Sequence, residues 1–143
     1  MHLKNFKSIV IKIGSSLLIN DKKNIRKKWL SEFAKDIKYL FNDKKNVIIV
    51  SSGSIALGCK KLNLNKKKLK LDKSQAVASI GQIELMNLYQ NVFKKFKIKI
   101  SQILLTLDDT EQRRRSINAR RTIDNLLTTF INLVFFFFFG LSV

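Results

Sequence analysis

Residues 46 to 59 read Asn-Val-Ile-Ile-Val-Ser-Ser-Gly-Ser-Ile-Ala-Leu-Gly-Cys, and this stretch decides the fold. Its consecutive β-branched residues, Val47 to Val50, predict a short strand buried on both faces, as in a parallel sheet covered by helices. Ser51 to Ser54 then supply hydroxyls, a helix N-cap and a glycine that tolerates positive φ. The stretch therefore predicts a strand, a sharp turn and a helix whose first N–H groups attract anions.

A second turn of the same kind lies near the amino terminus. The apolar segment that begins at Ser8 carries Lys12 close to its end and is followed by Gly14, Ser15 and Ser16. In open α/β folds, ligands bind beyond the carboxyl ends of the parallel strands. Two strand ends with small, hydroxyl-rich loops therefore predict one polar cleft at that edge of the sheet.

Apolar spacing predicts the remaining elements. A helix carrying Trp29 and Phe33 joins the two strands into a βαβ unit, and a longer helix runs to about Phe96. That longer helix contains Gly81, which costs about 1 kcal/mol relative to Ala unless close backbone packing requires it. A third strand is predicted over residues 98–106, and Asp109 and Gln112 fit a capping box at the start of the next helix.

Length and composition limit the kinds of function that this chain can have. A chain of 143 residues is long enough for one domain or part of one. Its net charge of +18 would suit nucleic acid, but the lysines are scattered and no aromatic residues alternate with them to stack bases. The charge therefore indicates compositional drift, and no nucleic-acid partner is expected. Cys59 is a single cysteine and no signal peptide is recognisable, so we expect a cytoplasmic protein.

Three motifs resemble the amino-acid kinase family and, within it, the glutamate 5-kinases. The first two are Lys-x-Gly-Ser-Ser at residues 12–16 and Ser-Ser-Gly-Ser-Ile-Ala-x-Gly at residues 51–58. The third, Gln-x-Leu-Leu-Thr from Gln102, continues through Asp109 and Arg113 to Asn-Ala-Arg-x-Thr from Asn118. This third motif distinguishes glutamate 5-kinases from aspartate, uridylate and acetylglutamate kinases. The resemblance covers roughly residues 6–131.

The resemblance implies an α/β fold with a mainly parallel sheet in an αβα sandwich, incomplete in this sequence. It also implies ATP-dependent phosphorylation of the side-chain carboxylate of L-glutamate, the first step of proline biosynthesis, with ATP and Mg²⁺ as cofactors. The full-length family is expected to form homo-oligomers. When the family's functional residues are carried over to this sequence, the resemblance implies that Lys12 is the catalytic group. It implies that ATP is bound by Lys12, Gly14 and Ser15, and that the substrate is bound by Ser52 and Gly53. No protein ligand for a metal is implied.

The carboxyl-terminal end departs from the family pattern. Residues 1–134 are interpreted as the amino-terminal part of the kinase domain and residues 135–143 as an aberrant Phe-rich tail. The family continues here with a proline-containing strand, whereas this chain has five successive phenylalanines, Phe135 to Phe139, which would overfill both faces of a sheet. A slip in a thymine-rich tract explains the run. We therefore expect a truncated chain without kinase activity of its own.

Two alternatives remain open. One is another member of the amino-acid kinase family. The other is a basic, membrane-associated binding protein that uses its apolar tail, although the 18 residues from Leu126 to Val143 include polar side chains and a spanning helix needs about 20 apolar residues. Membrane attachment is therefore not expected. The absence of a Walker A pattern argues against a P-loop enzyme.

Overall fold

The computed structural model describes residues 5–20, 24–65, 69–130 and 133–138. Within these ranges the chain alternates strands with helices, in the order expected of a parallel sheet. The elements are β1 (Ser8–Ile13), α1 (Ser15–Leu18), α2 (Lys27–Asn42), β2 (Asn46–Ser51), α3 (Ser54–Lys61), α4 (Leu71–Lys94), β3 (Ser101–Leu105), α5 (Leu107–Glu111), α6 (Arg113–Asn125), a π-helical turn (Leu126–Phe130) and β4 (Leu133–Phe138).

The described strands form one parallel sheet in the order β1-β2-β4-β3. Strands β1 and β2 are neighbours in register, with Ser8 opposite Asn46 and Ile13 opposite Ser51. Strand β4 enters between β2 and β3, so the last strand in sequence is central in the sheet. The parallel α/β architecture predicted from the sequence is confirmed.

Helices cover both faces of the sheet. Because side chains alternate along a strand, Val47 and Ile49 of β2 lie on one face, where they are fully buried in a core shared with α2 and α4. Ile48 and Val50 lie on the other face and pack around Leu127 of the π-helical turn. The buried members of the first core are Ile13, Leu18, Leu30, Ala34, Ile37, Val47, Ile49, Leu57, Leu85, Tyr89, Phe93 and Ile98.

Three helices end in a left-handed residue that is not glycine. Lys44, Asn63 and Lys97 follow α2, α3 and α4 with φ of 56°, 55° and 57°. After α4, the Ile98 N–H donates to the Phe93 carbonyl at 3.1 Å, and the Ile98 side chain is buried in the core. Ile98 therefore completes the helix end. For this reason β3 starts at Ser101, and the prediction of a strand from Ile98 was wrong.

The capping box after β3 differs from the predicted one. Oδ2 of Asp109 accepts hydrogen bonds from the Thr106 N–H at 2.8 Å and from the Thr106 hydroxyl at 2.7 Å. These bonds hold the pKa of Asp109 below its usual range. Gln112 instead separates α5 from α6. The box predicted between Asp109 and Gln112 was therefore wrong, because the helix begins one turn earlier, after Thr106.

The Phe run forms part of β4. Phe135 pairs with Ile49 of β2 and Gln102 of β3, and the pairing with β3 continues to Phe138. The expected boundary at residue 134 thus falls within a strand. The proposed reading-frame change stays a prediction, and residues 139–143 of the expected tail lie outside the described residues. None of the helices in the described ranges has both the length and the apolar character needed to cross a membrane.

Helices α3 and α4 touch through two glycines. A Cβ atom at Gly81 would overlap the Ser54 carbonyl oxygen and lie 2.5 Å from the Gly58 nitrogen, and one at Gly58 would overlap the Val77 carbonyl oxygen. Both glycines are buried. The expectation that close backbone packing explains Gly81 is confirmed, and this contact fixes where α3 begins.

We predict that Gly81→Ala destabilises the chain by about 2 kcal/mol, the upper part of the overpacking cost less the gain in helix propensity. The helix-propensity gain of about 1 kcal/mol is smaller than the cost of forcing apart two backbones, about 1–3 kcal/mol or more for overpacking. Urea unfolding of residues 1–143 measures the difference. Gly14→Ala is the matched control, because the nearest atom to its added Cβ would be 3.9 Å away. Equal midpoints for the two variants would contradict the close contact between α3 and α4.

Candidate functional site

The carboxyl ends of β1 and β2 bring the two predicted loops together. The Ser52 N–H donates to the Ile13 carbonyl oxygen at 3.0 Å, and the Ser52 hydroxyl donates to the same oxygen at 3.3 Å. Ile13 ends β1 and Ser52 directly follows β2. The loop after each strand is therefore anchored to the other, at the edge of the sheet where the sequence predicted a shared cleft.

Gly53 packs directly against the first loop. Its φ of 121° lies in the region that glycine adopts without strain. A Cβ atom there would lie 3.2 Å from Cδ1 of Leu18 and 3.7 Å from Cβ of Ser15. Both the backbone conformation and the close approach therefore require glycine at this position.

The first loop presents backbone donors. Gly14 is the N-cap of α1, and its carbonyl accepts from the Leu17 N–H at 3.1 Å. Within the described residues, the N–H groups of Ser15 and Ser16 have no hydrogen-bond acceptor. The space beside Gly14 is open, because a Cβ atom added there would meet Oγ of Ser16 at 3.9 Å and nothing nearer apart from the adjoining residues. An anion can therefore approach this backbone closely.

Lys12 supplies the positive charge of the site. It is exposed, and its register partner is Val50, so its side chain leaves the sheet on the Val50 face. In the part of the chain that the structure describes, Lys12 forms no ion pair. Its ammonium group is therefore not neutralised by a described carboxylate and can interact with a bound anion.

The second loop opens α3 with further donors. Gly53 is the N-cap of α3, with no side chain capping it and no acidic residue in the first turn. The loop residues 14–16 and 52–54 carry hydroxyl and N–H groups and contain no carboxylate. This donor set suits phosphate and carboxylate groups. It does not suit direct coordination of Mg²⁺, which prefers carboxylate oxygens and waters.

The arginines of α6 lie on a different element. Helix α6 has no buried residue, and NH1 of Arg115 lies 3.8 Å from Asp108 and 3.9 Å from Asp109. The side chains of Arg115 and Asp108 are exposed and that of Asp109 is partly exposed, so solvent screens these ion pairs. The arginine-rich segment is therefore a solvated helix face and not part of the loop pair.

The sequence did not reveal Tyr89 as a neighbour of the site. Its hydroxyl lies 2.7 Å from Oγ of Ser51, and its side chain is fully buried. Burial raises its pKa above the ordinary value for tyrosine, and the hydrogen bond to Ser51 only partly offsets this. The available signal was its place in the stripe Leu85, Tyr89, Phe93, which predicts a core position for a residue with a polar end.

Comparisons with known proteins agree with this geometry. The model of the amino acid kinase family matches residues 7–140. The chain is 73% identical over 126 residues to a glutamate 5-kinase of Pelagibacter ubique, covering 88% of this chain and 34% of that relative. A glutamate 5-kinase of Nitrobacter hamburgensis is 52% identical over 128 residues, covering 89% and 34%. The chain thus spans about a third of the length of these relatives.

A solved structure shares the fold. The UMP kinase of Bacillus anthracis superposes with a TM-score of 0.54 at 14% identity, over 92% of this chain and 52% of that one. At this identity the likeness concerns the fold alone. Together, the parallel sheet, the paired loops at its carboxyl edge and a family match over nearly the whole sequence show that this chain belongs to the amino acid kinase family.

Proposed function

We propose that this chain forms the amino-terminal part of a glutamate 5-kinase, which transfers the γ-phosphoryl group of ATP to the side-chain carboxylate of L-glutamate. The observation that carries the proposal is the loop pair joined at the Ile13 carbonyl, which brings backbone donors to the strand end that carries the exposed Lys12, without a carboxylate in either loop. The 73% identity to a protein named glutamate 5-kinase supports glutamate as the acceptor.

In this proposal each loop binds one of the two substrates. Lys12, Gly14 and Ser15 bind the phosphates of ATP, and Ser52 and Gly53 bind glutamate. During transfer, a glutamate carboxylate oxygen bonds to the γ-phosphorus while the bond from this phosphorus to the bridging oxygen breaks and ADP leaves. Catalysis of phosphoryl transfer is mostly positioning and charge stabilisation. Lys12 is the catalytic residue because its charge offsets the charge on the transferring group.

Mg²⁺ enters this scheme with the nucleotide. The loops offer no carboxylate to the ion, so its ligands here would be the phosphate oxygens of ATP and water. The chemistry that Mg²⁺ supplies is neutralisation of phosphate charge. We further place the reaction in the cytoplasm, at the first step of proline biosynthesis, in a homo-oligomeric enzyme.

Activity of a full-length chimera tests the proposal. The aligned segment of this chain replaces its counterpart in the Pelagibacter ubique relative, and ADP formation is measured with L-glutamate, aspartate, acetylglutamate and UMP as acceptors. We expect turnover with glutamate at least about 100-fold above the other acceptors, because buried polar groups matched to one substrate reject others strongly. Preference for another acceptor would instead support a different amino-acid kinase.

We predict that Lys12→Ala in this chimera lowers kcat by about 100- to 1000-fold, the typical loss when one group that stabilises transition-state charge is removed. The fold should be retained because Lys12 is exposed. Steady-state kinetics and far-UV circular dichroism measure the two properties. Lys7→Ala, an exposed lysine just before β1, is the matched control and should leave kcat unchanged. A kcat of Lys12→Ala within threefold of the parent would remove Lys12 from the mechanism.

We predict that Ser52→Ala raises KM for glutamate by about fivefold or more, the effect of one lost hydrogen bond, and raises KM for ATP less. Initial rates at varied glutamate and varied ATP separate the two constants. Ser79→Ala serves as the control, since Ser79 is exposed on α4 and, among the described residues, its hydroxyl bonds the Ala76 carbonyl alone. An effect confined to ATP would show that the roles of the two loops are exchanged.

A further inference from the structure

A chain of hydroxyl groups runs from the core to the second loop. Tyr89 of α4 is fully buried, and its hydroxyl lies 2.7 Å from Oγ of Ser51, the last residue of β2. The Ser51 hydroxyl in turn donates to the carbonyl oxygen of Ser52 at 3.2 Å. Ser51 is itself buried, so this polar pair is shielded from water.

The direction of these hydrogen bonds follows from proton count. A serine hydroxyl carries a single proton, and the proton of Ser51 is used on the Ser52 carbonyl. With this assignment, the Tyr89 hydroxyl is the donor in its bond to Ser51, where the geometry allows either hydroxyl to donate. Because burial raises the pKa of Tyr89, this hydroxyl keeps its proton across the neutral range.

The same contacts fix the orientation of the peptide between Ser52 and Gly53. This peptide is trans, so its C=O and N–H point in opposite directions. With the carbonyl held by the buried Ser51 hydroxyl, the Gly53 N–H faces away from that buried pair. This N–H has no acceptor within the described residues, and Ser52 is held from its other side by Ile13.

We propose that Tyr89 is a positioning residue which, through Ser51, holds the Ser52–Gly53 peptide so that the Gly53 N–H is available to an anionic group of the amino-acid substrate. The proposal rests on the assignment of Ser52 and Gly53 as the substrate loop. Tyr89 does not touch the substrate. It restricts the rotation of one peptide plane, and an unanchored peptide would have to be ordered at each binding event.

The first experiment tests the anchor in the chain itself. In residues 1–143, Tyr89→Phe keeps the ring and removes the donor, so the ¹⁵N order parameter of the Gly53 N–H, which reports the motion of the Ser52–Gly53 peptide, should fall from about 0.85 to below about 0.6. The Asn46 N–H, bonded to the Lys7 carbonyl at the other end of β2, should keep its order parameter. An equal fall at both N–H groups would indicate general destabilisation and overturn the proposal, as would no change at Gly53.

The second experiment tests the consequence for the substrate. In the full-length chimera, Tyr89→Phe should raise KM for glutamate by about five- to tenfold, with kcat and KM for ATP within twofold of the parent. Tyr39→Phe is the matched control, because the Tyr39 side chain is 70% exposed on α2. A lower order parameter at the Gly53 N–H with an unchanged KM for glutamate would overturn the positioning role.

A partner variant protects the test against misfolding. Ser51→Ala removes the acceptor and leaves the aromatic core intact, and it should reproduce both effects. Because the two residues act as one unit, the double variant Ser51→Ala/Tyr89→Phe should be no worse than the more affected single variant. If the effects of the two single variants instead added up in the double variant, Tyr89 would not act through Ser51. A parent chimera without glutamate kinase activity would overturn the proposed function, while the order parameter of the Gly53 N–H would still decide whether Tyr89 anchors the loop.

Discussion

The Ile13 carbonyl oxygen accepts two hydrogen bonds from Ser52, one from its N–H at 3.0 Å and one from its hydroxyl at 3.3 Å, and the geometry of the site depends on this junction. It exists because β1 and β2 are parallel neighbours that end at the same level, Ile13 opposite Ser51. A shift of one residue in this register would turn every β1 side chain to the opposite face. Register and site are therefore specified by the same contacts.

Two close contacts made by glycines fix the helices relative to this junction. Gly53 allows the chain to leave β2 against Ser15 and Leu18, and Gly58 and Gly81 let α3 lie directly on α4. The position of α3 is thus determined by two contacts. The loop fixes its start, and α4 packs along its length. Tyr89, which also lies on α4, forms a hydrogen bond with Ser51 at the end of β2. One long helix therefore supports both the start of α3 and the loop that precedes it.

Much of this could be predicted from local sequence. Val47 to Val50 predicted a buried strand, and the pairs Gly14-Ser15 and Ser52-Gly53 predicted the two loops. These predictions succeeded because backbone conformation and burial there depend on neighbouring residues. The misplaced capping box was a local error, because Asp109 pairs with Thr106 three residues before it, whereas the other differences depended on packing. Ile98 has the composition of a strand residue but closes α4 because its side chain fills the core. Likewise, the pairing of Phe135 to Phe138 with β3, and of the first two of them with β2, cannot be derived from a run of identical residues.

The most direct measurement of the central claim is a crystal structure of the full-length chimera with MgADP and glutamate. We expect the nucleotide phosphates to lie within hydrogen-bonding distance of the Ser15 N–H and of Lys12. The glutamate should contact Ser52 and the Gly53 N–H, with the Ser52–Ile13 junction intact. Phosphates bound instead at the arginines of α6, or glutamate bound away from the second loop, would contradict the claim that this junction builds the phosphoryl-transfer site.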